Sequence, residues 1–314
     1  MEAHFEPVLD NCGFDASASP DWMMLPLKEE QPLWLVNGSG LTVSSTVPAI
    51  AEVRIDSAKV PAQPTWQLLR LKGKAVGRAF IELRSATRVV RRLEVSVKPR
   101  VTLSVSFHLL SDSAKKTHAT LRTAASLAEM LRVMNSIYTP QTNIAFELKR
   151  VVNLKMAGDL GDAVNYNYDY RADKPMRGHE YEKVTDKRDA SAHINVFCVW
   201  KNEFVARTAS GQIETKRFLG YSMGGRDIMI EDWDGSGMDS GNSGAWENGR
   251  MLAHEMGHIL GIDDVGKTRR VGRAIRGHAA LVVVNANYVL GSGPFIPKNH
   301  ANIMSAIARQ IAGR

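Results

Sequence analysis

The sequence predicts two folded units behind a polar leader at residues 1–25. They are an all-β sandwich over residues 26–99 and an α/β domain with a mixed sheet over residues 100–314. Three observations predict this. Short runs rich in β-branched and large apolar residues recur between turn signals at roughly ten-residue spacing. Lys98-Pro99-Arg100 then interrupts the pattern. Beyond it, apolar residues at 121, 124, 125, 128, 131 and 134 follow the spacing of an amphipathic helix.

In the first unit, Leu33-Trp34-Leu35-Val36 runs into the turn Asn37-Gly38-Ser39-Gly40, and Leu41-Thr42-Val43 follows. Further strands are expected at Ile50 to Ile55, Trp66 to Leu71, Arg78 to Leu83 and Val89 to Val97. Leu93, Val95 and Val97 alternate with Glu94, Ser96 and Lys98, so one face of that strand is buried. In the second unit, Val101 to Leu110 alternates as a strand, and a helix is expected over His118 to Ile137. Strands follow at Ile144 to Leu148 and at His193 to Trp200, the latter nearly all apolar and so central in its sheet. The polar, Tyr-rich stretch 156–190 reads as loops over a surface. Phe218 to Met223 and Ile228-Met229-Ile230 add short strands, and a Gly/Asp/Ser loop leads into a helix from Trp246 to Leu260. Strand, helix, strands and helix in one unit make an α/β arrangement.

The 314 residues are 44% apolar and 23% charged, ordinary globular usage that excludes disorder, collagen and coiled coil as the main state. No window approaches the length of apolar sequence that spans a bilayer. The start lacks a basic n-region and an apolar h-region, so the expectation is no signal peptide: cytoplasmic at synthesis, with export only by specialised machinery. Cys12 in the leader and Cys198 in an apolar run do not make a disulfide framework. The net charge of +7 is unevenly placed, since residues 265–314 carry eight Lys+Arg and no acid. The run Lys267 to Arg276 suits an anionic polymer or a solvated surface. No nucleic-acid recognition motif accompanies it, so no nucleic-acid partner is expected.

One segment carries chemistry: Met251-Leu252-Ala253-His254-Glu255-Met256-Gly257-His258-Ile259-Leu260-Gly261-Ile262-Asp263-Asp264. Residues four apart share a helix face, so His254 and His258 offer two imidazoles to one zinc ion, and Glu255 stands beside them as general base. Gly261 permits the left-handed turn that ends the helix. The reversed chain can then return Asp264, or Asp263 if the turn differs by one residue, as third ligand. His278 and His300 are outside candidates for that role. A second pattern, Asp232-Trp233-Asp234-Gly235-Ser236-Gly237, matches the first half of a calcium loop, but Ser243 stands where the bidentate glutamate belongs. A flexible loop is preferred there over Ca2+.

The run from His254 to Asp264, H-E-x-x-H-x-x-G-x-x-D, resembles the metzincin zinc-peptidase signature, with aspartate as third ligand as in snapalysin-type bacterial proteases. Asn302-Ile303-Met304-Ser305 is similar to the methionine turn that lies beneath the metal in that family, ahead of a short terminal helix. Ala306 stands where some members carry a metal-binding tyrosine. In the first unit, Val43 to Val53, Gly73 to Phe80 with its glycine turns and the closing strand Leu93-Glu94-Val95-Ser96-Val97 loosely resemble a bacterial immunoglobulin-like repeat. No titratable cluster lies there, so the unit reads as a spacer, docking or inhibitory module.

The resemblance implies a zincin-like catalytic domain with an active-site helix. It would hold one catalytic Zn2+ on His254, His258 and Asp264, and hydrolyse peptide bonds by Glu255-assisted attack of water at the zinc. The substrate would lie along an edge strand containing Leu219, Gly220 and Tyr221. The implied partners are a protein or peptide substrate and, for an exported effector or toxin, secretion machinery or an immunity protein. Two alternatives stay open: hydrolysis of cell-wall peptides, and a non-catalytic zinc-containing interaction module.

Overall fold

Strand after strand pairs in the first 98 residues because the turns between them are short and the apolar residues alternate. The computed structural model describes residues 2–9, 12–59, 65–172, 174–175, 180–222, 225–232, 244–262 and 295–313. The strands of the first part are β1 (His4–Pro7), β2 (Phe14–Asp15), β3 (Asp21–Pro26), β4 (Glu30–Val36), β5 (Thr42–Ser45), β6 (Ala51–Lys59), β7 (Trp66–Gly73), β8 (Gly77–Ser85) and β9 (Arg88–Lys98). They form two sheets, ordered β1-β4-β7-β6 and β2-β3-β9-β8-β5. Leu33, Leu35, Leu69 and Leu71 from one sheet and Ile81, Leu83, Leu93 and Val95 from the other fill the core between them.

The leader expected at residues 1–25 is instead part of this structure. Three strands lie in or reach into it, and β3 is central, pairing in parallel with β9. The reason is the run Trp22-Met23-Met24-Leu25, every residue of which is 0% exposed. It is apolar on both faces of the pleat, the signature of a strand covered on both sides.

The second part begins two residues after β9. It contains β10 (Val101–Asp112), α1 (Ala124–Thr142), β11 (Ile144–Met156), β12 (Val164–Asp169), β13 (Lys174–Pro175), α2 (Glu180–Thr185), β14 (Ile194–Val199), β15 (Asn202–Arg207), β16 (Ile213–Arg217), β17 (Gly220–Ser222), β18 (Asp227–Glu231), α3 (Gly244–Ile259) and α4 (Lys298–Ala312). A five-stranded mixed sheet has the order β11-β10-β14-β18-β17, with β17 antiparallel at its edge. Leu103, Val105, Phe107, Val196, Cys198, Ile228 and Ile230 point from one face into a core shared with α1, α3 and α4. The other face packs Leu110, Phe197, Val199 and Met229 against α2 and a smaller sheet ordered β13-β12-β15-β16. The stretch read as surface loops therefore supplies β12, β13 and α2, because Val164, Tyr166 and Tyr168 alternate toward that layer. Helix α1 starts at Ala124 rather than His118. Thr123 caps it: its hydroxyl accepts from the Ser126 N–H (3.3 Å), and the Ser126 hydroxyl accepts from the Thr123 N–H (3.0 Å). No described helix is long and apolar enough to cross a membrane.

The change at Lys98-Pro99-Arg100 is a change of sheet within continuous packing. Along β3, Met23 and Leu25 face the N-terminal core, while Trp22 and Met24 belong to the helical core. The Trp22 indole N–H donates to the Ser96 hydroxyl (2.9 Å). Lys298 at the start of α4 donates its backbone N–H to Asp15 (2.9 Å) and its ammonium to Glu94 (2.7 Å). Trp22→Ala should therefore destabilise both parts together, by about 3–5 kcal/mol for a buried aromatic truncation. Chemical denaturation followed by near-UV dichroism should show one shifted transition; two transitions, with only the first displaced, would mean the cores are independent.

Lys98 is buried in the same seam and donates to the Ala301 carbonyl (2.9 Å) and the Ser305 hydroxyl (3.0 Å) on α4. Its ammonium lies 5.5 Å from the Trp22 ring centre. Burial pushes its pKa down to about 7, with Arg309 and Arg78 adding repulsion. Between that value and the usual ~10.4, the unfolded chain holds a proton that the folded chain has released, so stability rises with pH across this window. The cost of the buried charge is present in full below pH 7 and should amount to several kcal/mol, on the order of 1.4 kcal/mol per unit. Lys98→Met should flatten the slope of unfolding free energy between pH 7 and 10; an unchanged slope would show that other groups set it.

Candidate metal and peptidase site

Helix α3 is fixed by the residues that it buries. Leu252, Ala253, Met256, Ile259 and Leu260 are at most 6% exposed and face α1, α4 and the sheet. Gly249 lets α1 approach, since a Cβ there would lie 2.4 Å from Val133 Cβ. The Tyr138 hydroxyl donates to the Ala253 carbonyl (2.7 Å), one residue before the first histidine. From the loop before α1, Arg122 donates to the Asn248 side chain (3.0 Å) and to the Glu231 carbonyl (2.5 Å), tying the helix to β18.

On this frame His254 and His258 lie side by side, partly exposed, with ring centres 4.9 Å apart and planes at 88°. The helix ends as the sequence suggests. Gly261 has φ +84°, the Ile262 N–H donates to the Gly257 carbonyl (3.0 Å), and the Gly261 N–H donates to the His258 carbonyl (3.0 Å). This left-handed cap turns the Ile262 carbonyl back onto the His258 ring, 2.8 Å from Nδ1. A carbonyl only accepts, so Nδ1 carries the proton and Nε2 keeps the lone pair that a metal needs. Two imidazoles on adjacent turns, one with its tautomer set this way, fit a zinc ion.

Glu255 is buried (6% exposed) and lies against the edge strand. A Cβ on Gly220 would sit 2.8 Å from Glu255 Cγ and 2.9 Å from Oε1, so the carboxylate rests directly on the β17 backbone. Leu219 precedes β17, and its carbonyl accepts from the Glu231 N–H (2.8 Å). Tyr221 pairs with Met229 and packs on the far face of the sheet. Burial holds its hydroxyl well above the usual tyrosine range, with neighbouring tyrosines and the Glu255 carboxylate adding to the effect.

Asp263, Asp264 and His278 lie outside the described residues, as does the calcium-like loop beyond Asp232. Among the described residues, no third His, Cys, Asp or Glu joins His254 and His258 as a possible ligand group. His300 is buried on α4, where burial lowers its pKa and the nearby Asp15 opposes that shift. Asp232 is occupied otherwise: its carboxylate accepts from the Thr120 hydroxyl (2.6 Å) and the Leu121 N–H (2.5 Å).

The methionine turn expected at Asn302 to Ser305 is not a turn. These residues lie inside α4, because Ala301, Met304, Ala308 and Ile311 recur at helical spacing and all are buried. Met304 contributes to the core shared with α3, and Ile303 and Ile307 reach Gly261 at the end of that helix. Cys12 and Cys198 are buried in different cores with no bridge between them.

A second group of possible ligands was not read from the sequence. Asp112, His118 and Asp159 place their side-chain heteroatoms within 4.8 Å of one another. His118 stacks on Trp200 (5.1 Å, 4°) and meets Asp112 at 2.8 Å, while Asp112 also accepts from the backbone N–H groups of Ala114 and Leu160. These bonds fold the loop after β10 around Asp112.

No family model matches the chain, and no curated protein matches it. Among solved structures, domains 4 and 5 of the S-layer protein SbsC align with 24% of this chain and 46% of that one, at 17% identity and a TM-score of 0.20. Domains 4–9 of SbsC align with 32% of this chain and 19% of that one, at 14% identity and a TM-score of 0.21. The chain thus spans less than half the length of these structures.

Proposed function

We propose that the protein is a zinc-dependent peptidase whose catalytic part is metzincin-like, with the N-terminal strands forming an immunoglobulin-like module docked on it. The observation that carries this reading is the joint placement of three residues. His254 and His258 are adjacent on one helix, His258 is presented through Nε2 by the Ile262 carbonyl, and Glu255 is seated against an edge strand. Asp264 is the proposed third ligand, on the strength of the motif. A bound zinc would bring the pKa of water toward ~7 and polarise a substrate carbonyl. Glu255 takes the proton of the attacking water and returns it to the departing amine. An extended peptide alongside β17 would place its scissile bond next to that carboxylate.

The buried Glu255 favours catalysis over a merely structural metal site, which would close its fourth position with another Cys or His. The test is metal analysis together with digestion of a peptide library by wild type and Glu255→Ala. About one zinc per chain and cleavage only by the wild type are expected. A zinc-free protein, or equal cleavage by both, would overturn the proposal.

A further inference from the structure

Successive residues of a strand leave its opposite faces, and β17 puts that rule to use. Gly220 faces Glu255, while Tyr221 turns to the far face of the sheet. There it meets Phe218 (5.6 Å between ring centres), Tyr166 (5.6 Å) and Phe204 (6.0 Å). Phe204 meets Phe218 (5.9 Å) and Tyr168 (6.4 Å), and the array ends at Tyr170, which is 55% exposed. Phe197, Val199 and Met229 in the same layer are 0% exposed, as core residues should be. Phe204, Phe218 and Tyr221 are only half-buried. Large rings left partly in water beside the edge strand that carries Gly220 offer a gain to any apolar group that covers them.

We propose that Phe204, Phe218 and Tyr221 form a subsite that selects an aromatic or large aliphatic side chain of the peptide substrate. This rests on the peptidase reading above. A peptide extended beside β17 alternates its side chains as β17 does. One row meets the face of Glu255 and the histidines; the other falls on Tyr221 and the two phenylalanines. The occupant is fixed by continuity, since Tyr221 belongs both to the aromatic array and to the strand whose preceding residue touches Glu255. The selected residue is therefore close to the scissile bond, on the side of the peptide away from the helix.

A decapeptide library digested by the wild type should show Phe, Tyr, Trp or Leu enriched at one position near the cut. The best-cleaved peptide, fluorescein-labelled, is then compared with its analogue carrying Ala at that position, both bound to Glu255→Gln protein and followed by anisotropy. The Ala analogue should bind about 10- to 100-fold more weakly, the worth of one buried large apolar side chain. With Phe218→Ala added, that ratio should shrink to about 3-fold or less, much of the apolar contact being lost. Phe218→Leu keeps an apolar, foldable side chain and should retain selection for Leu while losing that for aromatics. Cleavage with no enriched apolar position, a ratio unchanged by Phe218→Ala, or selection for aromatics undiminished in Phe218→Leu, overturns the subsite and leaves the peptidase standing. No cleavage by the zinc-loaded wild type overturns the peptidase reading, and the subsite with it.

Discussion

Glu255→Ala should retain zinc and fold while losing peptide hydrolysis by at least about 10²–10⁴-fold, the typical contribution of general acid–base catalysis. The side chain is assigned a proton and no metal bond, so zinc content should match the wild type. Its fold should persist as well, because the helix is held by Leu252, Ala253 and Met256 and by the Tyr138 hydroxyl. Truncation leaves a small void against Gly220 and removes a buried carboxylate, two changes of opposite sign for stability. Measured together, zinc content, thermal unfolding and kcat/KM separate the possibilities. Full activity in Glu255→Ala would remove the residue from the chemistry. Loss of zinc along with activity would make it a ligand instead.

What the sequence made legible follows from where the pattern was local. His254, Glu255, His258 and Gly261 lie within eight positions, and helix geometry alone relates them; the cap at Gly261 formed as its lack of a side chain allows. The central strand at Ile194–Val199 was equally readable, since it is apolar on both faces and buried throughout. The structure departs from the local pattern where long-range packing decides. Trp22 to Leu25 lie within the stretch that reads as a polar leader, yet they bridge two cores. The order of motifs suggests a turn at Met304, while the spacing Ala301, Met304, Ala308, Ile311 spells the helix that forms. The alternation Tyr166, Tyr168, Tyr170 was visible in the Tyr-rich stretch, but the partner strand, β15, lies more than thirty residues on. Only the fold shows that this segment borders β17.

Zinc binding should fail in a graded order that tests the ligand register. His258→Ala removes an imidazole whose tautomer is already set, and should leave no zinc after dialysis against a weak chelator. Asp264→Ala removes the proposed third ligand and should weaken affinity strongly, while Asp263→Ala should change it little. Gly261→Ala provides a test that the structure alone suggests. A side chain there must adopt φ +84° and its Cβ lies 3.3 Å from Ile307 Cγ1, so the cap should distort and the Ile262 carbonyl should leave His258 Nδ1. Loss of such a supporting hydrogen bond typically lowers metal affinity about 10–100-fold. The Gly261→Ala protein should therefore fall between the wild type and His258→Ala in a competition titration. Wild-type affinity in Gly261→Ala would separate the helix cap from the metal site. Full occupancy in a His254→Ala, His258→Ala double variant would place the metal elsewhere, and the group around His118 would be the first place to look.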